Sequence, residues 1–356
     1  MKTKLYSLAV AFALLITAKV SQAQVIVVQH GSTGSVYSNI DSAVLAASAG
    51  DYLYLSGGLF IVHGINGSGN DSIHFYKPLH FVGAGCNPDS VFVTGITEIQ
   101  SAVTSSNFGA ILVGSAADGS TFDGIYFNAQ SVSFGNGGNQ ADSFGHFIFN
   151  RCRFSSVICS SLGGGPNAAN LNLEFHECVM QNLSEAGQGN CTATIDRCVV
   201  TGQCQALSSA VTWTNCVIGE PVDHGTINNC IIYAGSNSFV NQFGAVFNNC
   251  ILANTAPTAG GSDVFNNCSF GADVPGQFVS VPAQAFTWAN DYHLVNNSIA
   301  HNYGTDGHDD GIYGSSTPAK AGYVPYNPHY TGVTIPTSTD ANGNLNINIH
   351  VSAQTY

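Results

Sequence analysis

The chain has 356 residues, of which 8 % are charged, with 8 basic against 21 acidic side chains and a formal net charge of −13. Such a balance repels phosphate backbones and anionic lipid, which excludes nucleic acid and anionic membrane surfaces as partners. A hydrophobic share of 44 % argues against disorder, and 40 glycines among many Asn, Ser and Thr point to strands joined by turns.

At the start, Lys2 and Lys4 precede a short apolar run from Leu8 to Ala18, and Ser21-Gln22-Ala23 supplies small residues where a signal peptidase reads. Residues 1–23 are predicted to be an export signal, with Gln24 opening the mature chain. The apolar run is too short to span a bilayer and no later stretch qualifies, so no membrane insertion is expected. The expected protein is soluble and exported: extracellular, periplasmic or at the cell surface. Without the leader the basic residues are Lys77, Arg151, Arg153, Arg197 and Lys320.

Next comes a helix signal. Ser38-Asn39-Ile40-Asp41 begins like an N-cap with a carboxylate three residues on. Ile40, Ala43, Val44 and Ala47 form an apolar stripe that Gly50 ends, predicting a short helix over one end of the fold.

A pattern then recurs through the middle: large apolar, two turn-formers, Cys. Its copies are Phe149-Asn150-Arg151-Cys152, Phe175-His176-Glu177-Cys178, Ile195-Asp196-Arg197-Cys198, Trp213-Thr214-Asn215-Cys216, Ile227-Asn228-Asn229-Cys230, Phe247-Asn248-Asn249-Cys250 and Phe265-Asn266-Asn267-Cys268. Phe122-Asp123-Gly124-Ile125 is an earlier copy with Ile in the Cys place, and the steps run from 14 to 27 residues. Repeats of this length indicate a solenoid. Alternation before the turn, as in Phe147-x-Phe149, puts one strand face inward. The turn pair holds residue types that favour left-handed or turn conformations, so each copy predicts a sharp bend between two strands of one coil. Stacked coils would then carry columns of aromatic or aliphatic residues, of Asn and of Cys.

Eleven cysteines in an exported chain invite a disulfide framework. Seven of them share one column, however, where parallel stacking holds Cβ atoms farther apart than a disulfide wants, so buried thiols are expected there. Cys191 with Cys204 is left as a candidate bridge, beside Cys86 and Cys159. The lack of a Cys-x-x-Cys pair argues against zinc.

The Ala-rich helix, Gly50-Asp51 with Leu55, Gly58 and Phe60, and Lys77-Pro78-Leu79-His80-Phe81-Val82-Gly83-Ala84-Gly85 together resemble the opening of pectate-lyase-like right-handed β-helix proteins. Gly304-Thr305-Asp306-Gly307-His308-Asp309-Asp310-Gly311-Ile312-Tyr313-Gly314 is similar to an end segment of small secreted bacterial members of that group. The resemblance implies an all-β fold: a single-stranded right-handed parallel β-helix over residues 24–356, with a short N-terminal capping helix and an irregular C-terminal cap. The group's enzymes mostly cleave acidic polysaccharides, by β-elimination or by hydrolysis.

Elimination needs a base and cations or Ca²⁺ to neutralise a uronate. Arg151 and Arg197 occupy one repeat position with Glu177 between them, which suits either a cationic cleft or a surface ion-pair ladder. The group's hydrolase pattern of paired Asp with a Gly-His-Gly turn is missing. Asp306, His308, Asp309 and Asp310 form the one dense acid-and-His cluster, offering Ca²⁺ or, with His301, a transition metal a site; the other reading is a Gly-flanked Asx turn closing the last coil. Trp288, Tyr292, Tyr303, Tyr313 and Tyr323 crowd the C-terminal part, where flat amphipathic rings suit sugar stacking or a packed cap. Gly-rich insertions at 129–145 and 157–170 are candidate groove walls or long loops. Asn342 to Val351 alternates as a final strand.

The combined expectation is a secreted or cell-surface β-helix protein that binds carbohydrate or serves a structural, adhesive role without catalysis, and without a cofactor unless Ca²⁺. The alternative is a divergent polysaccharide lyase or glycoside hydrolase acting on acidic polysaccharide.

Overall fold

The computed structural model describes residues 24–63, 73–88, 95–101, 111–113, 117–128, 132–134, 145–161, 171–184, 191–202, 204–205, 210–220, 222, 224–233, 244–253, 255, 261–282, 285–320, 322–325, 329–334, 336, 338–340 and 342–352. The predicted signal, most of the two Gly-rich insertions, and the side chains of Cys159 and Cys191 lie outside the described residues. The possible Cys191–Cys204 bridge therefore does too.

Among the described residues the protein is all-β apart from a short α-helix, α1 (Ile40–Ala46), and brief 3₁₀ turns such as Pro275–Gln277. Asn39, one residue later than expected, caps α1 by accepting from the Ser42 N–H at 2.9 Å. Ile40, Ala43 and Val44 face inward from it onto the first strands. Those strands, Ile26–His30 and Thr33–Tyr37, are antiparallel to each other, and the first is antiparallel to Tyr52–Leu55.

From Tyr52 to Asn266 the chain alternates between two long sheets, and every pairing inside them is parallel. Sheet A takes Tyr52–Leu55, His80–Val82, Thr121–Asp123, His146–Asn150, Leu171–His176, Cys191–Asp196, Val211–Thr214, Thr226–Asn228, Val246–Asn248 and Val264–Asn266 in that spatial order. Sheet B takes the segment after each turn, from Gly58–Val62 through Arg153–Ser161 to Ile251–Leu252. Each pass adds one strand to both sheets on the same side, an arrangement compatible with a solenoid.

The expected columns are present. Phe81, Phe122, Phe149, Phe175, Ile195, Trp213, Ile227, Phe247 and Phe265 are in register along sheet A. Phe122 stacks on Phe81 at 4.9 Å and on Phe149 at 4.8 Å between ring centroids, which is the strand spacing itself. From sheet B, Phe127 and Phe154 meet these rings edge-on, the other favoured aromatic geometry.

The turn works as its residue types demand. Arg151, Glu177, Arg197, Asn215, Asn229, Asn249 and Asn267 all have φ between 50° and 55°. Left-handed backbone costs an ordinary L-residue about 1–2 kcal/mol. Here the corner N–H groups from Arg151 to Asn249 each donate to a carbonyl of the next coil, as from Glu177 to Asp196 at 3.0 Å and from Asn229 to Asn248 at 3.0 Å. The Cys that follows turns inward. All seven column members are thiols, and Cys178, Cys198 and Cys216 each receive the sulfur of the next rung on their N–H, at 3.2–3.5 Å.

The C-terminal part departs from expectation. Instead of closing the last coil, residues 303–320 and 322–325 run back along the corner column toward the first coils. The Tyr303 hydroxyl donates to the Asn267 carbonyl at 2.8 Å, and the Thr305 N–H to Asn229 Oδ1 at 2.8 Å. Farther on, Thr317 accepts from Arg197, the Lys320 N–H donates to Glu177, and Pro325 lies against Gly124. The physical reason lies on sheet B. Its outward column contains Val199, Val217, Ile231 and Ile251, which form a second apolar cluster with Phe278, Tyr292 and Ile312 of the C-terminal part. Each aliphatic side chain so covered contributes about 1.5–3 kcal/mol. The last strand of sheet A is left with Val264 46 % exposed. The closing residues form a hairpin, His329–Thr334 with Asn348–Ser352, so the expected final strand is shorter than its alternating pattern.

Candidate functional site

The Arg-Glu-Arg set is not the surface feature expected. Arg151 and Glu177 are each 3 % exposed, because the returning strap seals the corner from which they project. Arg151 grips Asp123 with two hydrogen bonds, Nε at 3.1 Å and Nη2 at 2.8 Å. Burial pushes the Asp123 carboxyl up, against the pull of Arg151. Arg197 holds Asp196 at 2.7 Å and Glu177 at 3.4 Å and donates to the Thr317 carbonyl. Every charge in the set is spent on a neighbour or on the strap.

A cluster missed in the sequence continues from Arg197 across the outer face of sheet A. His146 bonds Glu174 at 2.7 Å, and His176 bridges Glu174 at 3.1 Å and Asp196 at 3.3 Å. Hydrogen bonds that the imidazole donates to Asp196 and Glu174 raise the pKa of His176, with burial opposing. Burial works to raise Asp196, but His176 and Arg197 outweigh it and hold that carboxyl low. The imidazole sits between the two carboxylates, so they do not face a common open space. The signal was the outward register of strands His146–Asn150, Leu171–His176 and Cys191–Asp196, which needs pairing knowledge rather than composition.

The acid cluster near residue 306 does not gather as a metal centre. Asp309 is taken up by His301 at 2.9 Å and by the Asn302 N–H at 2.8 Å. Asp306 accepts from the His308 N–H at 3.1 Å, an Asx turn. Asp310 points the other way, is 1 % exposed, and has no hydrogen-bond partner on either carboxyl oxygen. Burial, with Asp306 and Asp309 adding, pushes it up to about 9. Among the described residues no three His, Cys, Asp or Glu side chains converge to hold a metal ion. The reason is geometric: tight Gly-flanked turns send successive side chains to different sides of the strap.

The aromatic candidates divide. Tyr292 is 5 % exposed and packs on Phe278, so it presents no face to a ligand. Tyr303 is tied to Asn267, and Tyr313 stacks on His293 at 3.9 Å. Trp288 and Tyr323 meet edge-on at 5.4 Å, both half-buried. Trp288 also reaches Arg153, which the sequence places only among the five basic residues after the leader. The Arg153 guanidinium lies 4.7 Å from the Tyr126 ring centroid and 5.4 Å from that of Trp288.

Arg153 owes its position to the register of sheet B, whose outward column reads Leu59, Glu98, Tyr126, Arg153, Val179, Val199, Val217, Ile231, Ile251. The aliphatic half lies under the C-terminal part, and Arg153 stands where that cover ends. A cleft of about 200 Å³ opens there, with Arg153, Ser155, Gln181 and Thr201 on the sheet side and Phe286 on the other. The signal was present in the repeats: the residue after the turn is aliphatic from Val179 to Ile251 and changes to Arg153 and then Tyr126 on moving toward the N-terminus.

Among the described residues no helix is long and apolar enough to cross a membrane. No protein-family model and no curated protein matches the chain.

Proposed function

We propose that the chain is an exported right-handed parallel β-helix protein, pectate-lyase-like in scaffold, that binds carbohydrate at or outside the cell surface without cleaving it. Handedness is supported by the parallel crossovers, since a strand–crossover–strand unit in one sheet is right-handed in about 98 % of cases. Export is supported by the leader pattern of residues 1–23.

The observation that carries the non-catalytic reading is the strap. The charges best suited to neutralising a uronate, Arg151 and Arg197, are buried or half-buried and already paired with Asp123, Asp196 and Glu177. Catalysis needs such groups turned toward a reacting sugar.

The test incubates the exported form with a panel of acidic and neutral polysaccharides, with and without Ca²⁺. Retention on a polysaccharide without product release is expected. Unsaturated-uronate absorbance or new reducing ends would overturn the reading. N-terminal sequencing of the exported protein is expected to begin at Gln24.

A further inference from the structure

We propose that the open edge of sheet A at Val264–Asn266 is a docking edge for a second copy of this chain, whose C-terminal hairpin supplies the next strand. The inference is independent of the carbohydrate-binding reading.

The accepting side is an unfinished coil. Among the described residues Val264–Asn266 pairs only with Val246–Asn248, and no strand follows it in the sheet. Val264 is 46 % exposed, and Phe265, Cys268 and Phe270 are half-buried, whereas Phe247 and Cys250 one coil earlier are sealed. A ladder of amides runs to the same edge. Asn248 Nδ2 donates to Asn228 Oδ1 at 2.9 Å and Asn266 Nδ2 to Asn248 Oδ1 at 2.8 Å, so Asn266 Oδ1 stands where the next rung would donate. An unpaired edge with an apolar interior is a template for another strand, and stacked repeats need a cap at such an end.

The donating side is the hairpin. Asn348–Ser352 pairs with His329–Thr334 and, among the described residues, with neither long sheet. Leu345, Ile347, Ile349 and Val351 are 46, 52, 51 and 56 % exposed. A lone two-stranded hairpin is marginal in water, and a row of exposed aliphatics marks a contact surface. Its sequence repeats the coils' own order of apolar then amide: Ile347-Asn348 matches Ile227-Asn228, Phe247-Asn248 and Phe265-Asn266. Added to the edge, the strand sets an aliphatic over Phe265 and Asn348 beside Asn266, continuing core and ladder together. Main-chain hydrogen bonds hold such an added strand.

Reach decides whose hairpin it is. Pro325 lies against Gly124, beside Thr121–Asp123, and seven strand spacings separate that strand from Val264–Asn266, about 34 Å in all. The four steps from Pro325 to His329 span at most about 14 Å, and the strand to Thr334 adds about 17 Å. Asn348 sits opposite Thr334, so the intact hairpin falls short of its own last coil. Charge permits the meeting of two copies. Residues 342–352 contain no Asp, Glu, Lys or Arg, and 261–271 contain only Asp263, which accepts from the Gly244 and Ala245 N–H groups. In a chain of net charge −13, these neutral stretches have the charge depletion of an interface core. Donor and acceptor are different surfaces, so the contact closes by exchange of two hairpins or extends head to tail.

The experiment is sedimentation equilibrium of the exported form over a wide range of concentration. Expected is association that follows mass action and strengthens with added salt, since screening relieves repulsion between acidic copies. Ile349→Asp on the donor and Val264→Lys on the acceptor are each expected to weaken it by about tenfold or more with an unchanged melting temperature. Mixing the two variants is expected to restore pairs, because each keeps the surface that the other has lost. Ile349→Asp lies outside the coils and carries the test should Val264→Lys fold poorly. A parent that is monomeric at every concentration overturns the proposal, as does association that both variants leave unchanged. A monomeric parent in which Ile349→Asp speeds alkylation of Cys268 assigns the edge to the chain's own hairpin and overturns the second copy.

Discussion

Two residues show how local chemistry sets behaviour that composition does not reveal. Asp310 is a carboxyl without a hydrogen-bond partner, held away from water, with the Cys250 thiol, Asp306 and Asp309 as its titratable neighbours. Its folded pKa is raised from 3.8 to about 9, so the folded state binds the extra proton between those values. By linkage the stability it confers is complete below about pH 4 and is lost as pH rises toward 9. Thermal melts of the parent are expected to fall across that window, and those of Asp310→Asn to fall less steeply; equal slopes would refute the neutral buried acid. Asn267 isolates the cost of the corner, since it is exposed and has φ of 50°. Asn267→Val is expected to destabilise by about 1–2 kcal/mol in urea melts, and Asn267→Gly to be nearly neutral. That corner was legible in the sequence from its fixed place before each Cys and from the Asn and Gly that tolerate it in most copies, although Arg151, Glu177 and Arg197 adopt it too. The partners of Asp310 were not legible, because whether an acid in a Gly-flanked loop faces water depends on what the loop lies against.

At the scale of the element, the strap of residues 303–320 and 322–325 explains both what the sequence suggested and what it concealed. Columns of Phe and Cys are periodic, so strand faces were readable from alternation. The strap has no period, and its bonds join residues far apart in the chain: 143 positions separate Lys320 from Glu177. Gly124 is its terminal seat. A Cβ there would come within 2.4 Å of Pro325 Cγ, and its φ of 65° already suits Gly. Gly124→Ala is expected to lift the strap's end and open 317–325 to limited proteolysis, with the strand content unchanged by circular dichroism. An unaltered digestion pattern would show that Pro325 gives way instead. The same strap hid Arg151, Glu177 and Arg197, whose spacing as a trio was plain but whose burial was not. Arg153 and Tyr126, by contrast, stand beyond its cover, and only pairing registers bring them beside Trp288.

For the whole molecule, stability is a sum of coil-to-coil interfaces rather than a single centre, as in other repeat architectures. The two ends are unequal. Helix α1 and the antiparallel strands Ile26–His30 and Thr33–Tyr37 cover the first coil, whereas the final strand Val264–Asn266 has Val264 nearly half exposed and Cys268 only partly buried. Native-state alkylation followed by mass spectrometry is expected to label Cys268 first among the seven column thiols, with Cys250 next on mild destabilisation and Cys152 to Cys198 last. Simultaneous labelling would indicate one all-or-none opening.

The strap's direction has a consequence in time. Coils are synthesised in order from the N-terminus, but the segment that seals their corners follows all of them, and it begins at the newest coils and finishes at Gly124, among the oldest. Until Pro325 has emerged, the oldest coils have their aromatic core but not their outer seal, so the chain is softest while it is still being made. A protein assembled this way is locked by its ending, and a truncation of a few dozen residues would cost the early coils more than the late ones.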